Sequence, residues 1–279
     1  MAIIGRFIGV NKYLDPDIRN LTGAGRDALA LWALFSDTIT NIDSKLLLNE
    51  DASVAGIRSS LKETFETATS EDTVILFFSG HGSKDHRLAA YDTELSKLVG
   101  TTVPMQEIAD LFRQSKAKSI LCILDCCFSG GATAKVLEDS PIAKDLSNPL
   151  AELSGKGRAI LAASNFDQPS YELGTTGHGI LTKALIDTLQ SKDETVNFLS
   201  AMNQIMDIVR AEAGRIGVEQ TPVLLNQIEG GLVLPSLKPG AKYFAAFPES
   251  KGAVITKNID DLSVFQIPAP LIDELKNIG

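Results

Sequence analysis

The chain has 279 residues, 44% of them hydrophobic and 22% charged, enough apolar material for one large domain or a domain with a small appendage. Its formal net charge of −9 argues against nucleic acid or an anionic membrane as the main partner. The longest apolar runs are strand-sized, short of the roughly 18–20 residues that span a bilayer, and no signal-peptide pattern precedes the first of them, so a cytoplasmic protein is expected.

Strand and helix patterns alternate through the first two-thirds of the chain. Residues 3–10 predict a buried strand, and 24–37 place Leu29, Trp32, Leu34 and Phe35 at helical spacing. A short strand is expected at 45–48. Ser53 is a candidate cap for a helix reaching about residue 68, with Val54, Ile57, Leu61 and Phe65 on its apolar face. Strand 73–79, helix 104–114 and strand 119–125 follow. From Gly130 to Gly157 glycine, serine, proline and mixed charge replace periodicity, which reads as a surface linker. A strand over 158–163, helices over 180–189 and 198–213, and a strand near 223–225 complete the pattern. Beyond Pro235 it turns irregular. The sum predicts an α/β fold with a mostly parallel central sheet and helices on both faces.

Two of the buried strands end in chemistry. Residues 73–78 run into Ser79-Gly80-His81-Gly82, and 119–124 run into Asp125-Cys126-Cys127-Phe128-Ser129-Gly130. The carboxyl edge of a parallel sheet is where sites are built. A thiol and an imidazole delivered there are the minimum for covalent acyl transfer. The chain's three cysteines, at 122, 126 and 127, are too crowded for a disulfide framework and lack the separated pairs of a structural zinc site. Cys122 lies inside the strand and reads as a structural thiol. Cys127 lies just past the strand end, beside the Ser129-Gly130 turn. Of the other histidines, His178 reads as a cap or an exposed side chain and His86 as solvated. Gly23-Ala24-Gly25 lacks the remaining features of a dinucleotide-binding turn.

These strings resemble the caspase-haemoglobinase clan, and within it the metacaspase-like caspases. Ile8-Gly9-Val10-Asn11-Lys12-Tyr13, Leu21-Thr22-Gly23-Ala24-Gly25-Arg26-Asp27-Ala28, the two signatures above, and Ala162-Ala163-Ser164-Asn165 with Gly179-Ile180-Leu181-Thr182 occur in that family's order. The resemblance covers roughly residues 1–235. It implies a caspase-haemoglobinase fold with a large-subunit-like part (1–129), a linker (130–157) and a small-subunit-like part (158–235), followed by an extension at 236–279 of unassigned role.

The resemblance also implies roles. The family's Asp-x-Cys pattern selects Cys127 as nucleophile over Cys126, with His81 as its partner. The backbone N–H groups of Gly82 and Cys127 are the expected oxyanion hole. Asp27 and Asp125, with Ser79 beside them, match the residues of the primary specificity pocket. Two carboxylates there favour Arg or Lys before the scissile bond. From the residues alone, Asp27 also fits a helix-dipole partner and Asp125 a cap. The expected activity is a cysteine endopeptidase acting on protein or peptide substrates with a basic residue at that position, self-processed or switched on by a partner protein. By analogy with bacterial relatives its setting is defence or regulated cell death. Lys135, Lys144 and Lys156, with Arg158 just beyond, are candidate self-processing positions. No cofactor is expected: the aspartate that calcium-dependent metacaspases carry after the nucleophile is missing, and Asp92 alone makes a poor calcium cage. Lys251 or Lys257 could act as a pseudosubstrate, in which case truncation after Pro235 raises activity. The alternatives are a narrowly specific CHAT- or separase-like protease needing a partner, and a non-catalytic interaction module.

Overall fold

A computed structural model describes residues 2–126, 136–137, 149–165, 168–173, 177–229 and 231–251. Its centre is a six-stranded sheet in the order β13-β9-β7-β3-β1-β2. The strands are β1 (Ile3–Gly9), β2 (Asp43–Leu48), β3 (Thr73–Ser79), β7 (Ser119–Asp125), β9 (Arg158–Ala162) and β13 (Val223–Asn226). The first five run parallel, and only β13 runs antiparallel, against β9. Every residue of β1, β3, β7 and β9 is buried, as expected for near-continuous apolar runs covered on both faces.

The helices supply that cover. On one face, α1 (Ala24–Thr38), α5 (Ile180–Leu189) and α6 (Phe198–Arg215) share an apolar cluster with Phe7, Ile75, Phe77, Leu121 and Ile123. On the other, α2 (Val54–Thr67) and α3 (Met105–Gln114) enclose Ile4, Ile8, Leu76, Phe78 and Cys122. Alternation along each strand sends successive side chains to opposite clusters. The contact between β1 and α1 depends on Gly9, where a Cβ would lie 2.5 Å from the Ala24 carbonyl oxygen.

Caps fix the helix ends. Ser53 Oγ accepts from Gly56 N–H at the start of α2, as its position predicts, and the Asp92 carboxylate accepts from Val54 N–H at 2.8 Å. Asp92 is therefore engaged as a helix cap. At the end of α3, Arg158 reaches across from β9 and donates to the Phe112 and Ala117 carbonyls. It is only 8% exposed, and burial pushes its guanidinium pKa down. The candidate processing position at Arg158 is thus a buried structural group, whereas Lys156 is exposed; Lys135 and Lys144 lie outside the described residues.

Smaller elements decorate the sheet. β4 (Gly82–Ser83), β5 (Arg87–Ala89), β6 (Thr102–Pro104) and β8 (Val136–Leu137) form a side sheet in the order β6-β5-β4-β8. β10 (Glu172–Leu173) pairs with β11 (His178–Gly179), and β12 (Thr195–Asn197) with β14 (Val233–Pro235). The stretch read as a surface linker ends in α4 (Pro149–Glu152), and Leu150 and Leu153 are each 1% exposed, so its last residues belong to the core.

Order continues past Pro235. α7 (Ala241–Ala246) and a 3₁₀ turn (Pro248–Lys251) lie along α1. Asp37 in the last turn of α1, unfavourable there for its own helix dipole, accepts from the N–H groups of Gly240, Lys242 and Tyr243 and so caps α7. Leu237 and Phe247, each 2% exposed, join the α1-side cluster. Truncation after Pro235 would remove core side chains along with any pseudosubstrate, so it is not a clean test of that idea. Among the described residues no helix is long and apolar enough to cross a membrane.

Candidate active site

The ends of β1, β3 and β7 lie side by side, with Gly9 in register with Ser79 and Ser79 in register with Asp125. β1 has β2 on one side and β3 on the other, so the connections diverge here. That is the topological switch point where open α/β sheets hold their ligands.

His81 follows β3 and is 2% exposed. Its Nε2 lies 2.7 Å from the carbonyl oxygen of Arg19. A carbonyl can only accept, so Nε2 carries the hydrogen and Nδ1 is the basic nitrogen of the neutral ring. The backbone N–H of His81 donates to Tyr13 Oη at 3.0 Å, and Tyr13 donates to the Val10 carbonyl at 3.0 Å. The two rings stand 5.2 Å apart. Burial pushes the Tyr13 phenol far above its ordinary value, so it stays a donor at any working pH. Tyr13 and the Arg19 carbonyl together fix where the imidazole sits and which nitrogen is basic. Tyr13→Phe strands the Val10 carbonyl and the His81 N–H, which costs about 1–3 kcal/mol per group. We expect a lower melting temperature and a several-fold lower kcat with KM little changed, measured by thermal denaturation and peptide hydrolysis.

On the α1 side a second cluster forms around two fully buried carboxylates. Asp27 sits in the first turn of α1 and accepts from Ser79 Oγ at 3.0 Å, His178 Nδ1 at 2.8 Å and Gly179 N–H at 3.2 Å. Asp125 ends β7 and accepts from the N–H and Oγ of Thr182, at 3.2 and 2.6 Å, capping α5 from across the sheet. Gly179 stands between the two carboxylates: it donates to Asp27, and a Cβ on it would lie 2.2 Å from Asp125 Oδ2. Asp27, Asp125 and Ser79 are therefore brought together, although they lie far apart in the chain. Glu172 ties β10 to the start of α1 by accepting from Thr22 Oγ1, Thr22 N–H and Gly23 N–H.

Gly82 opens β4, buried and registered with Leu88. Cys127 lies outside the described residues. Cys126 is 1% exposed in the α2–α3 cluster, and burial pushes the neighbouring strand thiol, Cys122, far above the ordinary range. Two expectations need correction. His178, read as a cap or an exposed ring, is 6% exposed and bonded to Asp27. His86, read as solvated, is half-buried with a left-handed φ of 63°. The ring of His178 stands next to glycine at the start of a helix, but its partner is 151 residues away, and no local signal marks such a pair. The Arg19 carbonyl is a backbone group and leaves no trace in sequence.

Residues 3–230 match a family model described as a caspase domain. Comparison with curated proteins returns no match. Among solved structures, the protein GSU0716 from Geobacter sulfurreducens aligns with a TM-score of 0.60 at 14% identity, over 82% of this chain and 94% of that one. At that identity the likeness is one of fold.

Proposed function

The chain belongs to the caspase-domain peptidases, a cysteine-protease family, and we propose that it is an endopeptidase with Cys127 as nucleophile and His81 as base, cutting after Arg or Lys. The observation that supports this most is the 2.7 Å contact between His81 Nε2 and the Arg19 carbonyl oxygen, which can only accept and so assigns the N–H to Nε2 and the role of base to Nδ1. Asp125, two residues before Cys127 in the sequence, ends β7 in register with Ser79, the last residue of β3 and two residues before His81.

The reaction then runs in two halves. His81 Nδ1 takes the thiol proton as Sγ forms a bond to the scissile carbonyl carbon. The carbonyl electrons move onto oxygen, where the N–H groups of Gly82 and Cys127 receive them. Collapse of the intermediate breaks the C–N bond, and the imidazolium gives its proton to the departing amine. Water, deprotonated by the same nitrogen, hydrolyses the thioester. Thiol, imidazole and backbone donors supply every step. The convergence of Asp27 and Asp125 at the switch point supports a basic side chain before the scissile bond, because two carboxylates in a water-poor site attract a guanidinium or ammonium strongly.

A second reading, that a partner protein must first switch the enzyme on, draws support from the complete burial of both carboxylates. A substrate side chain reaches them only after neighbouring groups move. Fluorogenic peptides ending in Arg, Lys or Asp, offered to the chain and to Cys127→Ala with calcium or a chelator, separate these readings. The proposal expects hydrolysis of the Arg and Lys peptides alone, lost in the variant and indifferent to calcium. Cleavage after Asp, or cleavage that survives in Cys127→Ala, would overturn it. Silence on all peptides would favour the partner-activated reading.

A further inference from the structure

Asp27 is 0% exposed and already surrounded by donors from its own chain: Ser79 Oγ, the Gly179 N–H and the imidazole of His178. Ser79 belongs to a central strand, and the Gly179 donor is backbone next to Asp125, so neither can retreat without disturbing the sheet or the other carboxylate. His178 is different. It reaches Asp27 as a side chain from β11, a two-residue strand paired with β10, after Gly177 with its left-handed φ of 65°.

What holds His178 in place comes from the far end of the chain. Phe247, at the end of α7, lies 6.2 Å from the His178 ring, centroid to centroid. Arg26, the residue before Asp27, lies over the Phe247 ring, its guanidinium carbon 4.6 Å from the centroid. Arg26 is also paired with Glu249 at 2.6 Å. Asp37 caps α7 and so anchors the segment that carries Phe247 and Glu249.

We infer that His178 is a specificity-determining residue that competes with the substrate's basic side chain for Asp27, and that Phe247 from the C-terminal segment holds it in that role. This rests on Asp27 lining the substrate pocket, as proposed above. Asp27 is fully enclosed, so an incoming cation meets the donors already on it, and His178 is the donor whose displacement disturbs least. The threshold that it sets favours substrates able to pay it: an arginine, with its planar fork, over a lysine.

The test measures kcat and KM on Arg and Lys peptides, and separately the Kd of benzamidine, an aryl amidinium probe that needs no catalysis. The panel is the full chain, His178→Ala, His178→Asn and Phe247→Leu. Asparagine keeps a donor at the Nδ1 position, and leucine keeps apolar volume while removing the ring. For His178→Ala we expect benzamidine Kd and the KM for the Lys peptide each to fall about tenfold, the worth of one hydrogen bond to a charged group. His178→Asn returns both to the parent values, and Phe247→Leu moves them the same way by about threefold. Tighter binding cannot arise from a poorly folded variant. A Kd that is unchanged or weaker in His178→Ala overturns the inference and makes His178 an anchor for Asp27. If benzamidine binding tightens while no variant cleaves any peptide, the competition for Asp27 stands and the silence on peptides favours the partner-activated reading. If peptides are cleaved with no gain in His178→Ala, the inference falls and the peptidase proposal stands.

Discussion

His81→Gln is expected to lower kcat on a basic-residue peptide by about 10²–10⁴-fold, the ordinary worth of a positioned general base. Glutamine is the informative replacement. Its amide nitrogen can donate to the Arg19 carbonyl in place of Nε2, and its backbone N–H still donates to Tyr13. The variant therefore keeps the hydrogen bonds that seat the residue and loses only the basic nitrogen. A melting temperature within a few degrees of the parent, together with the lost turnover, would assign the loss to chemistry. Hydrolysis within tenfold of the parent would place the base elsewhere.

The second large effect concerns Asp125. Asp125→Asn keeps an acceptor for the N–H and Oγ of Thr182, so α5 retains its cap, but one negative charge leaves the buried cluster. Removing one partner of a desolvated charge pair typically costs about 2–5 kcal/mol, so kcat/KM for Arg and Lys peptides should fall by about 10²-fold or more. The loss should appear mainly in KM, because the carboxylate grips the side chain before the scissile bond and not the reacting atoms. Steady-state kinetics on paired basic and neutral peptides reads this directly. Equal losses on both would make Asp125 a structural cap and nothing more.

Much of the scaffold is legible from periodicity. Runs such as Thr73–Ser79 and Ser119–Asp125 are buried on both faces, so they read as unbroken apolar stretches; α3 buries one stripe, Met105, Ile108, Ala109 and Phe112, whereas α1 is buried on every side from Asp27 to Phe35. Ser53 marks its helix start because its hydroxyl does the capping itself. The short strands β4 to β6 and the β10–β11 hairpin have two or three residues each, too few for any period to show. The packing of residues 236–251 was equally hidden. It depends on Asp37 and Thr38, some 200 residues earlier, which supply the acceptors for a segment whose own sequence is irregular. Arg6 is a similar case, a charge in the middle of a buried strand that is tolerated because Thr64, Asp43 and backbone carbonyls meet its guanidinium.

For the site, the two strand-end signatures marked His81 and Asp125, and family position marked Asp27. That Asp27, with Ser79 bonded to it, and Asp125 converge on Gly179 follows only from the sheet register and the placement of the hairpin. Tyr13 was visible as part of a motif, but its task, holding the His81 backbone, is a contact across 68 residues. The pairing of His178 with Asp27 ran against the local reading, because a histidine flanked by glycines at a helix start has no local reason to be buried.

The most direct test of the central claim is covalent. The chain would be treated with a peptidyl acyloxymethyl ketone bearing arginine next to the warhead, and the adduct mapped by peptide mass spectrometry. A single modification on Cys127 is expected, blocked by an excess of benzamidine and absent in His81→Gln at the same exposure time. Labelling of Cys126 instead, or labelling of Cys127 at equal rates by reagents bearing arginine and aspartate, would contradict it.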